Sequence, residues 1–229
     1  MITQRLVIRL LPLEILVFGL LVGGVVITGV HWAGTPPRPV LVAAAAPAGT
    51  AVAAASPAPP AALSPVFTPE VQHWAEKITA WAAQYQLDPA LVATVMQIES
   101  CGNPAALSPS GAQGLFQVMP FHFAPEDNQL DPDTNAQRGM AYLALGLSRA
   151  GGNVGLALAG YNGGHGMIGR ASSLWPAQTQ RYWYWGTGIY ADATSGQPSS
   201  PRLQEWLAAG GASLCARAAE QLGLTAVGE

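Results

Sequence analysis
The stretch DPALVATVMQIESCGNPAALSPSGAQGLFQVMP, from Asp88 to Pro120, contains one carboxylate set up for acid–base chemistry. Asp88 suits a helix N-cap and Pro89 the first helical position, where a missing N–H costs nothing. Leu91, Val92, Val95, Met96 and Ile98 follow at helical spacing, and Glu99 closes the run. Val92, Val95 and Met96 precede Glu99 by seven, four and three residues, so they share its face. A carboxyl among apolar neighbours is poorly solvated, which disfavours its anion and raises its pKa. A general acid working near neutral pH needs that property. The alternative is an ordinary buried Glu paired with an Arg, and spacing alone does not separate the two.

The residues that follow do. A turn-rich segment from Cys101 to Gly111 leads into GAQGLFQVMP, where glycines flank Gln113 and let the backbone approach a ligand. The Gln117 amide can donate and accept, as recognition of an N-acetyl group demands. Glu99-Ser100 is followed by S-x-x-G-A-x-G-L-x-Q-x-M-P from Ser108 to Pro120, then N-x-x-x-G-x-x-Y-L from Asn135 to Leu143. A-x-Y-N-x-G runs from Ala159 to Gly164 and T-x-x-Y from Thr179 to Tyr182. In these motifs, and in their order, the chain resembles the lytic transglycosylase (SLT-type) domain, a relative of goose-type lysozyme that cleaves peptidoglycan glycan strands.

The resemblance implies a lysozyme-like fold, mainly α within the α+β class, with Glu99 as the catalytic acid and then base. It further implies that Ser100 and Ser108 lie near that Glu, that Gln117 and Met119 contact sugar, and that Tyr161 and Asn162 form the cleft's far wall. Tyr182 matches a tyrosine whose hydroxyl lies near the catalytic carboxyl. For Gln117, Asn162 and Tyr182 the competing reading is a buried polar side chain that satisfies backbone groups. Two positions depart from the pattern: Gln178 stands where the family often has Glu, and Gly160 where it usually has Ala. Glycoside cleavage ordinarily uses two carboxylates, yet after Glu99 the next acidic residue is Glu126. A lone carboxyl suits the family's substrate-assisted route, in which the muramic C6 hydroxyl closes a 1,6-anhydro ring without water.

Several elements must position these residues. Thr68-Pro69-Glu70 opens a helix carrying Val71, Trp74, Ile78, Trp81 and Tyr85 on its apolar face. Asp133 or Thr134 is expected to cap a helix to about Ala150, and Asn153 another that ends at Tyr161-Asn162-Gly163-Gly164. Tyr182 to Tyr190 is ambiguous by pattern, and the resemblance makes it helical; Trp183, Tyr184 and Trp185 read as packing. Ser200-Pro201 starts a tail helix, Gly210-Gly211 stops it, and a second carries Cys215. The expectation is a compact helical catalytic domain over 67–195 with at most a small β element, and a helical tail over 196–229.

Ahead of it, Arg5 and Arg9 precede an apolar stretch whose Ile15–Val30 segment holds sixteen uncharged residues. As a helix, Leu10–Trp32 would reach ~34 Å, enough to span a bilayer. Positive charge before it and almost none after it sets the catalytic part outside the cytoplasmic membrane. Residues 1–32 are therefore read as a signal-anchor transmembrane helix, a secreted form after signal cleavage being the alternative. Residues 33–66 hold 13 Ala and 8 Pro with Arg38 as the only charge, a disordered, semi-rigid linker.

The 229 residues carry a net charge of −3, and Phe67 to Gly196 has five basic against nine acidic residues, so nucleic-acid binding is excluded. Peptidoglycan strands are the expected partner, with the membrane contacted through the N-terminal helix. The histidines lack zinc spacing, Asp131-x-Asp133-x-Asn135 fails as a calcium loop at Ala136 and Tyr142, and no metal or cofactor is expected. Outside the cytoplasm, Cys101 and Cys215 are expected to pair and tie the tail beside the Glu99 helix. Three rival functions remain. They are a lysozyme-type hydrolase with Asp131 or Asp133 as second acid, a Cys101–His165 peptidase of the peptide stems, and a non-catalytic glycan-binding module.

Overall fold
In the computed structural model, residues 62–224 are described. The expected transmembrane helix (1–32) and all but the last residues of the expected linker (33–66) lie outside them. Among the described residues, no helix is long and apolar enough to cross a membrane. Eight α-helices follow in order: α1 Pro69–Gln72, α2 Ala75–Tyr85, α3 Pro89–Glu99, α4 Pro132–Arg149, α5 Val154–Gly163, α6 Ala177–Thr194, α7 Pro201–Trp206 and α8 Ala212–Leu222. The β content of the described residues is two isolated antiparallel bridges, Leu107 with Gln113 and Gln113 with Val118.

Helix α3 is the pivot. Its start is fixed by the Asp88 carboxylate, which accepts from Ala90 N at 2.8 Å and from the Tyr190 hydroxyl of α6 at 2.8 Å. Residues 90–97 are buried on every side, because α1, α2 and α6 all pack on this helix. A helix apolar all round belongs in the middle of a domain. Its one unpaired end, Glu99, is thereby carried out to the opposite wall.

Three boundaries differ from the sequence reading. The expected first helix is two, because the chain turns at His73-Trp74 and aims the Trp74 indole to donate to Gly102 O at 2.9 Å. The cap of α4 is Asp131, which accepts from Thr134 N, rather than Asp133 or Thr134; Pro132 takes the first helical position. Leu63 and Val66, placed at the end of the linker, are buried beside Phe67, so the packed body begins ahead of Phe67. As expected, Gly210-Gly211 breaks the tail: Gly210 at φ 124 is non-helical and kinks the chain ahead of α8. Leu203, Trp206, Cys215 and Ala218 of the tail join the same core cluster as α3.

Cys101 and Cys215 form a disulfide across 114 residues of sequence, with Cα atoms 5.0 Å apart. Gln97, fully buried one turn before Cys101, donates to Cys101 Sγ and accepts from Thr68 N.

Asn135 orders the loop after α3. Fully buried, it accepts from Phe116 N at 2.9 Å and donates to Gln113 O and Gln129 O at 2.8 and 3.0 Å. Gly114 sits at φ 72, and a Cβ there would lie 2.5 Å from Asn135 Nδ2, so glycine is required on both counts. Replacing Asn135 by Ala would orphan three backbone groups in the interior, each of which is costly to leave unpaired. Urea unfolding of Asn135→Ala should show a loss of about 3 kcal/mol. A loss under ~1 kcal/mol would mean that water replaces the amide.

Candidate active site
Glu99 ends α3 at the centre of a cleft. On one side the wall runs through Ser108, Ala112, Gln117 and Met119, and across from it through Tyr161 and Asn162. Beyond Gln117 the cleft continues to Phe121, His122 and Tyr142. In the other direction, past Asn162, it reaches Ile98, Gln178, Arg181, Tyr182 and Trp185. Among the described residues, Glu99 is the only carboxylate lining any of these three parts.

The electrostatics follow from burial. Desolvation pushes the Glu99 carboxyl up to about 8, and the Tyr182 hydroxyl pulls part of the way back. Among the described residues Glu99 belongs to no ion pair, the pairs being Lys77–Asp133, Arg138–Asp127 and Arg202–Glu205. The paired-Glu alternative therefore has no partner here. Tyr182 is 5% exposed, and its hydroxyl, close to Glu99, has no partner in formed hydrogen-bond geometry. Burial, then the Glu99 charge, raises both the Tyr161 and Tyr182 hydroxyls well above the usual phenol value, so both stay protonated.

Each wall presents one half of an amide's hydrogen bonding. Gln117, at φ 45, spends its Nε2 on Ala106 O and Gly114 O, both at 3.1 Å, which leaves Oε1 as the acceptor for the cleft. Opposite, Asn162 Oδ1 accepts from the Thr179 hydroxyl at 3.0 Å, which leaves Nδ2 as a donor. Tyr161 donates to Phe116 O at 2.8 Å and locks the two walls together. That approach requires Gly139, where a Cβ would lie 2.8 Å from Phe116 Cβ and 3.1 Å from Tyr161 Oη. Ser108 is half-buried, accepts from Ala112 N, and lines the cleft with Met119.

Ser100 is corrected. It is fully buried, donates to Leu115 O at 2.7 Å and accepts from Gly102 N at 3.0 Å. With both roles spent on backbone it braces the turn after Glu99 and does not face sugar. Trp185, read as packing, lines the cleft end, whereas Trp183 and Tyr184 are 38% and 42% exposed outside it. Thr179 and Asn135 act through Asn162 and the Gln117 loop; their places in the T-x-x-Y and N-x-x-x-G motifs were the available signal.

The rival chemistries lose their residues. Asp131 caps α4, and Asp133 is held by Lys77 and by Trp81 Nε1, its carboxyl lowered chiefly by the Lys77 bond. Cys101 is in the disulfide and offers no thiol. His165 stacks on Tyr142 at 4.0 Å, and its imidazole is lowered chiefly by burial. The Glu70–Cys101–Cys215 cluster contains that disulfide, so it has no thiolate for a metal.

The family model "Transglycosylase SLT domain" matches residues 76–183. The chain is 43% identical over 111 residues to the transglycosylase of Enterobacteria phage PRD1, covering 48% of this chain and 40% of that one. It is 32% identical over 100 residues to the endo-type membrane-bound lytic murein transglycosylase A of Klebsiella pneumoniae, covering 36% and 49%. The lytic transglycosylase Slt of Pseudomonas aeruginosa aligns with a TM-score of 0.44 at 23% identity, over 56% of this chain and 25% of that one. The chain thus spans less than half the length of the curated relatives it matches.

Proposed function
Residues 76–183 make an SLT-type catalytic domain, and from that premise we propose that this protein is a peptidoglycan lytic transglycosylase. It cuts the β-1,4 bond between N-acetylmuramic acid and N-acetylglucosamine and leaves 1,6-anhydromuramic ends. The observation that carries this reading is a lone, unpaired cleft carboxyl whose pKa is lifted to about 8.

Such a group is protonated at neutral pH and donates its proton to the glycosidic oxygen as the C1–O bond breaks. The N-acetylglucosamine leaves with its 4-hydroxyl restored. Glu99, now an anion facing the Tyr182 hydroxyl, takes the proton of the muramyl C6 hydroxyl. The C6 oxygen closes on C1, Glu99 regains its proton, and no water is consumed. Gln117 Oε1 and Asn162 Nδ2 are set to hold an N-acetyl group's N–H and C=O, with Ser108 and Met119 beside them. Ser100 is a positioning residue.

The catalytic unit is taken as 67–195 with its packed lead-in from Leu63, and 196–229 as the tail disulfide-bonded to it. Residues 1–32 are proposed as the single-pass anchor and 33–66 as the linker, with catalysis outside the cytoplasmic membrane. Relatives named as membrane-bound support this placement.

The test is a digest of purified peptidoglycan by the full chain, read by mass spectrometry. Muramyl ends one water lighter than hydrolysed ends are expected. Reducing muramyl ends would make the protein a hydrolase and sink the anhydro-ring step.

A further inference from the structure
Among the described residues, Arg181 is the one Lys or Arg lining the cleft. Its guanidinium forms no ion pair among the described residues. It shares its part of the cleft with Glu99. Gln178 lies three residues earlier on the first turn of α6 and lines the same wall. A Glu at 178 would pair with Arg181 at this spacing; the neutral amide leaves the guanidinium uncompensated. Ile98 and Trp185 line the same part of the cleft, where the Arg181 and Gln178 side chains are exposed and open to a ligand.

We infer that this end of the cleft, Arg181 with Gln178 beside Trp185, binds a carboxylate carried on the muramyl side group of the glycan strand. The inference rests on the proposed substrate and names what the enzyme reads on it. A guanidinium fork receives a carboxylate through two parallel N–H donors, and the Gln178 amide adds a third. Two sources present such a group next to the scissile bond: the peptide stem, and the lactyl carboxylate left when the stem is removed.

The experiment compares the full chain with Arg181→Ala, Arg181→Lys and Gln178→Glu on stem-bearing strands and on strands stripped of stems. Arg181→Ala should raise KM about ten-fold with kcat held, as expected for one lost charge-assisted contact. Arg181→Lys should recover part of that loss, and Gln178→Glu, which supplies an internal partner, should raise KM on its own. A KM effect confined to stem-bearing strands assigns the stem carboxylate, one confined to stripped strands assigns the lactyl carboxylate, and an effect on both means that the site takes either. An unchanged KM on both, or a fall in kcat alone, overturns the inference. Co-sedimentation with sacculi reads the same variants by binding alone. If no anhydro ends appear but Arg181→Ala weakens sedimentation, the proposed reaction fails while the carboxylate site stands.

Discussion
Glu99→Gln is expected to abolish release of anhydro-muramyl ends, by at least ~10³-fold in kcat, while substrate still binds. Among the described residues one carboxyl lines the cleft, so none of its neighbours there can take over either proton transfer. The amide fits the same space but cannot give up and retake a proton. In enzymes with two carboxylates, losing one often leaves partial function in the other. Here acid and base are the same atoms at two times, and a single substitution removes both. Residual activity above about a hundredth of wild type would mean that Glu99 is not the proton donor.

The same substitution should make the protein more stable. The folded-state pKa of Glu99 is raised, from the usual 4.5 to about 8, by burial. Below about pH 4.5 both folded and unfolded chains hold the proton, and the group is neutral toward stability. Between about 4.5 and 8 the unfolded chain releases it while the folded chain keeps it, so stability falls as pH rises through that window. At pH 7 Glu99→Gln should therefore gain on the order of 3 kcal/mol. Melting curves of wild type and variant should converge near pH 4 and separate toward pH 8. Activity has its own sign: the acid step needs the proton, so kcat should fall as pH rises through about 8. Parallel melting curves at every pH would refute the burial argument even if activity were lost.

The sequence made Glu99 legible because the cause of its chemistry is local. Three apolar residues on its own helix face, followed by a turn, suffice to predict a desolvated carboxyl at a helix end. Tyr161 and Asn162 were legible through their motif. The cleft end at Gln178, Arg181 and Trp185 was not, because α6 is aromatic on several faces and only its packing on α3 and α5 decides which of them meets the cleft. Ser100 misled for the reverse reason. Adjacency to Glu99 in sequence suggests a ligand contact, but the α3 terminus turns it toward Leu115 O. The helix boundary at Trp74 depended on a partner distant in sequence, Gly102, whereas the one at Asp131 is set locally by Pro132 in the first helical position.

Breaking the Cys101–Cys215 link, by reductant or by Cys215→Ser, is expected to cost about 4 kcal/mol and lower Tm by roughly 10 °C. The cross-link spans 114 residues, so it removes much of the unfolded chain's freedom. Chain entropy is half of the argument. The other half is place: Cys101 follows Glu99 by two residues in a left-handed conformation at φ 51, and Gln97 donates to its sulfur from inside α3. Helix α8 therefore clasps the turn that aims the carboxyl. Loss of the clasp should raise the local opening rate of that turn, seen as faster amide exchange at Ser100 to Gly102, and reduce kcat more than KM. If Tm and exchange are indifferent to reductant, the apolar contacts of Leu203, Trp206 and Ala218 hold the tail unaided. The disulfide would then be a consequence of the fold and not a support of the site.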